Sequence, residues 1–284
     1  MTALKQRKVM NNTVKRTIFG VLFLVVMVCG LVIHPYLYGI LLLLMVMGMM
    51  KEYYDMSLGK RYRLPRILAT LLAVGMFVSI FCVSAFGIPN KFVALNAVLL
   101  LATMVSTLFE KDKSDFPNTA FLYAGILYIA VPLSLSNLIV FHGGSFNGLL
   151  MLSFFIIIWA SDVGAYCFGM LFGQKGGKKL CPSISPKKSW AGFWGGLLLA
   201  LVAALVLFFT PLVNFPLIHC LVMAAIMHVA GVFGDLFESQ WKRTFDLKDS
   251  GHVIPGHGGL LDRFDSAIFA IPAGVIYLVI IGLM

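Results

Sequence analysis

Long apolar runs separated by short polar clusters dominate this chain. Runs long enough to cross about 30 Å of hydrocarbon fall at roughly 17–33, 36–50, 65–88, 91–109, 119–141, 147–172, 191–212, 216–237 and 266–283. A membrane-crossing segment has to satisfy its own backbone hydrogen bonds, and runs of this length do so as helices. The pattern therefore predicts an all-α, polytopic integral membrane protein with about nine transmembrane helices. Only His34 and Pro35 separate the first two runs, before Tyr36 opens the second, and Pro35 predicts a tight turn between two crossings rather than one overlong helix. No internal repeat or low-complexity tract interrupts the series. A single membrane domain over 1–284 is expected, with N-terminal helices in 1–141, catalytic helices in 147–284, and cytoplasmic loops at 173–190 and 238–265.

Composition supports this class and removes others. Of 284 residues, 60% are hydrophobic and 12% charged, against about 25% charged in soluble domains. Soluble, disordered, fibrous and disulfide-scaffold classes are excluded. The placement of charge is more informative than its amount. Every Lys and Arg except Lys91 falls on one side of a nine-span topology. Positive side chains near span ends stay in the cytoplasm, so the N-terminus is expected to be cytoplasmic and Met284 outside. The net charge of +10 follows mostly from this asymmetry. The basic stretch before the first run resembles a signal peptide, but no small-residue cleavage site follows, and an uncleaved first helix is expected. Cys29, Cys82, Cys167 and Cys220 lie in apolar runs and Cys181 in a polar loop, with no C-x-x-C spacing. They read as packing residues, with no disulfide or cysteine-bound metal expected.

The acidic residues divide into two groups. Glu52, Asp55, Glu110, Asp112 and Asp115 sit among basic residues in short loops, where solvated faces suffice as an explanation. Asp162 instead lies within an apolar run, in Trp159-Ala160-Ser161-Asp162-Val163-Gly164-Ala165-Tyr166. A carboxylate at such depth needs a partner or a watery cavity. It either makes a helix–helix hydrogen bond eased by Ser161, Gly164 and Ala165, or lines a cavity. Half of the 12 acids fall between Gly234 and Ser266. Asp235 and Glu238 are three residues apart with Ser239 on the same helical face, and Asp262 and Asp265 repeat that spacing. Hard oxygen ligands of this kind suit Mg²⁺, which takes one or two carboxylates together with substrate phosphates. Lys242, Arg243, Lys248 and Arg263 supply the positive charge a phosphate requires. Pro255-Gly256-His257-Gly258-Gly259 can bring backbone N–H groups close to phosphate oxygens.

A third stretch, Lys175 to Trp190, contains Ser185-Pro186-Lys187-Lys188-Ser189. It is either a retention signal beside a span or a lysine pair reaching an anionic substrate, with Trp190 as interfacial anchor. His34, His142 and His219 lie near span ends, and His228 lies on the helical face of Asp235, which makes it a candidate pocket residue. With no room for a soluble domain, the site must be built from helix ends. The residues point to a Mg²⁺-dependent enzyme moving a phosphorus group onto or off a membrane lipid at the cytoplasmic face.

Ser239-Gln240-Trp241-Lys242-Arg243, then Lys248-Asp249, then Pro255 through Gly259 and Leu260-Leu261-Asp262-Arg263-Phe264-Asp265 resemble the signature of the phosphatidate cytidylyltransferase (CDP-diacylglycerol synthase) family. The resemblance extends to the elements at Asp162 and Lys188 and thus covers most of the second half. It implies that phosphatidic acid attacks the α-phosphorus of CTP, giving CDP-diacylglycerol and pyrophosphate. It also implies a two-metal centre, with Mg²⁺ and a second monovalent or divalent cation on Asp235 and Asp262. Catalytic roles are then expected for Asp235, Asp262, Lys242, Arg263 and Asp265. Substrate binding is expected of Asp162, Ser185, Lys187, Lys188, Ser239, Arg243, Lys248, Asp249, His257, Gly258 and Gly259. A homodimer in the cytoplasmic (inner) membrane is implied, in contact with the lipid bilayer, with its active site facing the cytoplasm and no nucleic-acid partner. Trp241 stands where the family usually has a smaller apolar residue, and Ser189 and Ala191 where Thr and Glu or Gln are common; position 191 is given no role. The competing expectations are a CTP-dependent kinase of polyprenol or diacylglycerol, and an ion-coupled transporter relaying through Asp162, Asp235 and His228.

Overall fold

A computed structural model describes residues 3–111, 113–174, 177–251, 253 and 258–284, with backbone alone for 3–16. Its helices are α1 (Ala3–Val32), α2 (Pro35–Ser57), α3 (Arg63–Phe86), α4 (Asn96–Thr107), α5 (Ala120–Gly125), α6 (Val131–Val140), α7 (Gly148–Phe172), α8 (Trp190–Phe208), α9 (Leu217–Thr244) and α10 (Leu261–Ile280). A π turn, Ile126–Ala130, joins α5 to α6 in one continuous rod. Among the described residues eight helical segments are long and apolar enough to cross a membrane, and the apolar part of α1, Thr17–Val32, is shorter. The all-α polytopic reading therefore holds, and the molecule is an integral membrane protein.

Local chemistry explains where the helices begin. Pro35 occupies the first turn of α2, and His34 accepts a hydrogen bond from Tyr36 N at its N-cap, so the proline separates two helices as expected. Asn147 caps α7 through Leu150 N, and Ser189 caps α8 through Gly192 N.

Three elements run beyond the apolar pattern. The second run continues through Lys51, Glu52 and Asp55 to Ser57. The eighth continues through Glu238 and Lys242 to Thr244, and the ninth begins at Leu261. Hydropathy marks where a helix meets hydrocarbon, whereas backbone hydrogen bonding carries the helix on into the polar interface. The segment 173–190, expected to be a loop, contains an antiparallel hairpin of β1 (Lys179–Cys181) and β2 (Ser185–Ser189), with Lys179 opposite Ser189. The hairpin leads straight into α8, and Trp190 N donates to Lys178 O.

Packing concentrates in the second half, where α7, α8, α9 and α10 lie against one another. In lipid, close backbone approach takes over from the hydrophobic effect as the driving force. At Gly164 any Cβ would strike the carbonyl oxygen of Gly195 on α8, and at Gly234 it would strike that of Asp265 on α10. Buried Phe154 of α7 lies against Gly274 of α10, and buried Phe264 of α10 meets Phe155 of α7 edge-on, while Leu44, Leu101, Leu127 and Phe209 remain on the outer surface.

Candidate active site

The C-terminal half of α9 carries Asp235, Glu238, Ser239 and Lys242 on one face, at helical spacings of three and four. Lys242 pairs with Glu238 on its own helix and reaches across to Asp262 Oδ1 on α10 at 2.7 Å. The triad is nearly dry: side-chain exposure is 11% for Lys242, 0% for Glu238 and 8% for Asp262. A cation between two buried carboxylates in this way is strongly held, because removing either partner leaves an uncompensated charge. Lys242 therefore locks α9 to the start of α10.

The start of α10 is held by two carboxylates. Asp262 Oδ2 accepts from Gly259 N at 2.7 Å and Ser250 N at 3.0 Å. Gly258 just before has φ +84°, a conformation that glycine adopts without steric cost. Glu52, from the far end of α2, accepts from Leu260 N at 2.9 Å through Oε1, and from Leu261 N at 2.8 Å and Ser250 Oγ at 3.2 Å through Oε2. The free N–H groups and positive dipole of a helix start favour an anion there. Glu52 is buried, at 4% exposure. This corrects its reading as a solvated loop residue. The contact spans 209 residues of chain, and only a charged residue placed just past an apolar run could have hinted at it.

Lys188 on β2 pairs with Asp235 Oδ2 at 2.5 Å, and Asp235 Oδ1 accepts from Ser239 Oγ at 3.3 Å. Asp162 of α7 opens onto the same space. Together these residues border a cavity of about 400 Å³ between α7, β2, α8, α9 and α10, lined by Asp162, Asp235, Asp262, Asp265, Lys187 and Lys188, with Ser161, Ser189, Gln174 and Ser266 between them. Asp162 lines this cavity and its side chain also hydrogen-bonds Ser266 of α10, so both readings of its position have a counterpart in the fold. The cavity carries more carboxylates than cations, and Lys187 is exposed at its edge.

Not every expected residue reaches this cavity. Lys242 lies behind Asp262, and Ser239 supports Asp235. Ser185 sits at the start of β2, and Arg243 and Arg263 are exposed outside the lining, with Arg243 donating to Leu247 O. Lys248 and Asp249 are exposed in the connection between α9 and α10, and Gly258 and Gly259 act through the α10 start. His257 lies outside the described residues. His228 is buried behind the wall, with its Nδ1 2.8 Å from Ser161 Oγ, and so braces a lining residue instead of lining the cavity itself. Trp241 stacks on Tyr53 with ring centroids 5.1 Å apart and meets Phe121 edge-on, which accounts for its bulk as packing between α9, α2 and α5.

Among the described residues, no three His, Cys, Asp or Glu side chains form a ready-made metal cluster. Asp235 and Asp262 share their oxygens with Lys188 and Lys242 instead. The arrangement is an acidic cavity at helix ends, with lysines poised over two of its carboxylates. Chemically it suits a cation together with a polyanion, with Lys187 and Lys188 in the lining as the cations that can meet phosphate oxygens.

Comparison with known proteins shows what this chain is similar to. The model of the cytidylyltransferase family matches residues 14–281. A Bacillus subtilis (strain 168) protein named phosphatidate cytidylyltransferase is 35% identical over 265 residues, covering 91% of this chain and 94% of that protein. Proteins of the same name from Staphylococcus saprophyticus and Staphylococcus haemolyticus are 34% and 36% identical over 229 and 184 residues. These alignments cover 78% and 64% of this chain, and 82% and 66% of the relatives.

Proposed function

Because the chain belongs to the cytidylyltransferase family, we propose that it is a CTP:phosphatidate cytidylyltransferase, forming CDP-diacylglycerol and pyrophosphate at the cytoplasmic face of the inner membrane. The observation that carries this reading is the convergence of Asp162, Asp235, Asp262 and Asp265 with Lys187 and Lys188 on one cavity at the ends of apolar helices. A phosphate oxygen of phosphatidic acid attacks the α-phosphorus of CTP, and the bond from that phosphorus to the pyrophosphate oxygen breaks. The phosphate dianion is already a nucleophile, so no covalent enzyme intermediate is needed.

Asp235 and Asp262 would hold Mg²⁺. The fit rests on their hard oxygens facing a cavity with excess negative charge, and on the habit of Mg²⁺ of retaining waters and substrate phosphates beside one or two carboxylates. When bound, the metal supplies charge neutralisation at the attacking and departing oxygens. A second monovalent or divalent cation belongs to the same proposal, drawn from the excess carboxylates Asp162 and Asp265. Lys187 and Lys188 bind and orient phosphate oxygens, and Lys242 with Glu52 fixes the position of Asp262 without facing the substrate. The proposal includes a homodimer, on family resemblance.

Incubating purified protein with phosphatidate, Mg²⁺ and CTP carrying label at either the α or the γ phosphorus tests the reading. Label from the α position should enter the lipid extract. Label from the γ position entering lipid would mark a lipid kinase, and solute uptake by proteoliposomes without lipid labelling would mark a transporter.

A further inference from the structure

Away from the acidic cavity, the cytoplasmic end of α2 and the first turns of α3 border a second cavity, open to the surface, of about 550 Å³. Lys51, Lys60, Arg63 and Arg66 line it, and below them Ile67 and Leu71 continue its wall. Among the described residues Asp55 is the carboxylate that pairs with these cations. It binds Lys51 and Arg66, while Lys60 and Arg63 have no carboxylate partner among the described residues. Arg66 is preorganised: it is held by Asp55 and Gly59 O, and its guanidinium carbon lies 6.0 Å from the centroid of the Tyr54 ring. The cavity therefore keeps a surplus of positive charge.

Its shape along α3 narrows the ligand. Arg63, Ile67 and Leu71 recur every fourth residue and share one face. At about 1.5 Å per residue, Leu71 lies roughly 12 Å deeper than Arg63. Ile67 and Leu71 are half-exposed, at 50% and 48%, on the outer surface of a spanning helix. A charged rim above an apolar stripe matches a molecule with an anionic head and hydrocarbon tails, whereas a free phosphate would have no use for the stripe. The rim also stands at the same end of the bundle as the acidic cavity, since Lys51 borders the basic cavity while its neighbour Glu52 binds the start of α10.

We infer that this groove is a docking site for the phosphate headgroup of an anionic phospholipid, separate from the catalytic cavity, with Lys60 and Arg63 contacting the phosphate and Ile67 and Leu71 the acyl chain. The inference is independent of the proposed reaction, because it concerns binding to other residues and is read without turnover.

Native mass spectrometry of the detergent-solubilised protein with phosphatidylglycerol or phosphatidylcholine of identical chains tests it. The wild-type protein should retain phosphatidylglycerol about tenfold more tightly. The Lys60→Ser/Arg63→Ser variant should lose that preference, and Arg63→Gln alone should lose part of it. Both side chains are exposed, so the fold should survive, as monodisperse elution on size exclusion would verify. Asp235→Asn, in the catalytic cavity, should keep the preference, and millimolar inorganic phosphate should not displace the lipid. An unchanged preference in the double variant, its loss in Asp235→Asn, or displacement by phosphate would each overturn the assignment.

Discussion

Glu52 Oε2 accepts a hydrogen bond from the backbone N–H of Leu261 at 2.8 Å, joining α2 to the start of α10 across 209 residues. The same carboxylate takes Leu260 N and Ser250 Oγ, and Asp262 sits one residue beyond. A side chain from the N-terminal half thus sets the position of a carboxylate in the acidic cavity.

Glu52→Ala should leave three donors without their acceptor. The expected cost is about 2 kcal/mol or more of stability, seen as a fall of several degrees in the unfolding temperature in detergent. Activity should fall further than stability explains, with a raised Mg²⁺ requirement because Asp262 is no longer fixed. Glu52→Gln, which keeps one carbonyl acceptor, should lie between. Wild-type Mg²⁺ dependence in Glu52→Ala would remove the positioning role.

Lys188 balances Asp235 and borders the cavity. Lys188→Met should reduce kcat/KM for CTP on the order of a hundredfold, the scale of losing one electrostatic contact to developing charge, with little change in folding. A stability loss with normal kinetics would make the pair purely structural.

Removing divalent cations with EDTA should abolish label transfer to lipid, and Mg²⁺ should restore it. Asp262→Asn should stay inactive at any Mg²⁺ concentration while remaining membrane-inserted and folded. Restored activity in that variant at high Mg²⁺ would show that Asp262 tunes metal affinity without being essential.

Gly164 lies against the carbonyl of Gly195, at a close approach of α7 and α8. Gly164→Val should force the helices apart and cost about 1 to 3 kcal/mol, and should displace Asp162 at the cavity wall. Thermal unfolding in detergent and CTP-dependent turnover should both fall. A neutral result would mean the α7–α8 interface can slide without disturbing the cavity.

The parts of the site legible in the sequence were the local ones. Asp235, Glu238, Ser239 and Lys242 share a face because helical spacing puts them there, and the helix continues past its apolar run. Asp162 stood out because a carboxylate within an apolar run needs a reason. Periodicity shows which residues share a face but not what that face meets. It could not show that Lys242 turns to Glu238 and Asp262 and away from the cavity, or that Arg243, Arg263, Lys248 and Asp249 stay outside the lining. The hairpin at β1–β2 escaped notice because two short strands around Pro186 carry no apolar alternation.

The sequence by itself determined that this is an all-α membrane protein, which runs form its helices, and which short stretches hold its chemistry, since hydrophobic length, proline and charge act locally. Only the tertiary structure decided that Asp162, Lys188, Asp235 and Asp262, spread over about a hundred residues of chain, border one cavity, and that Glu52 anchors it. Those relationships depend on how closely helices approach at residues such as Gly164 and Gly234, and close approach is a property of pairs of surfaces that no single segment specifies.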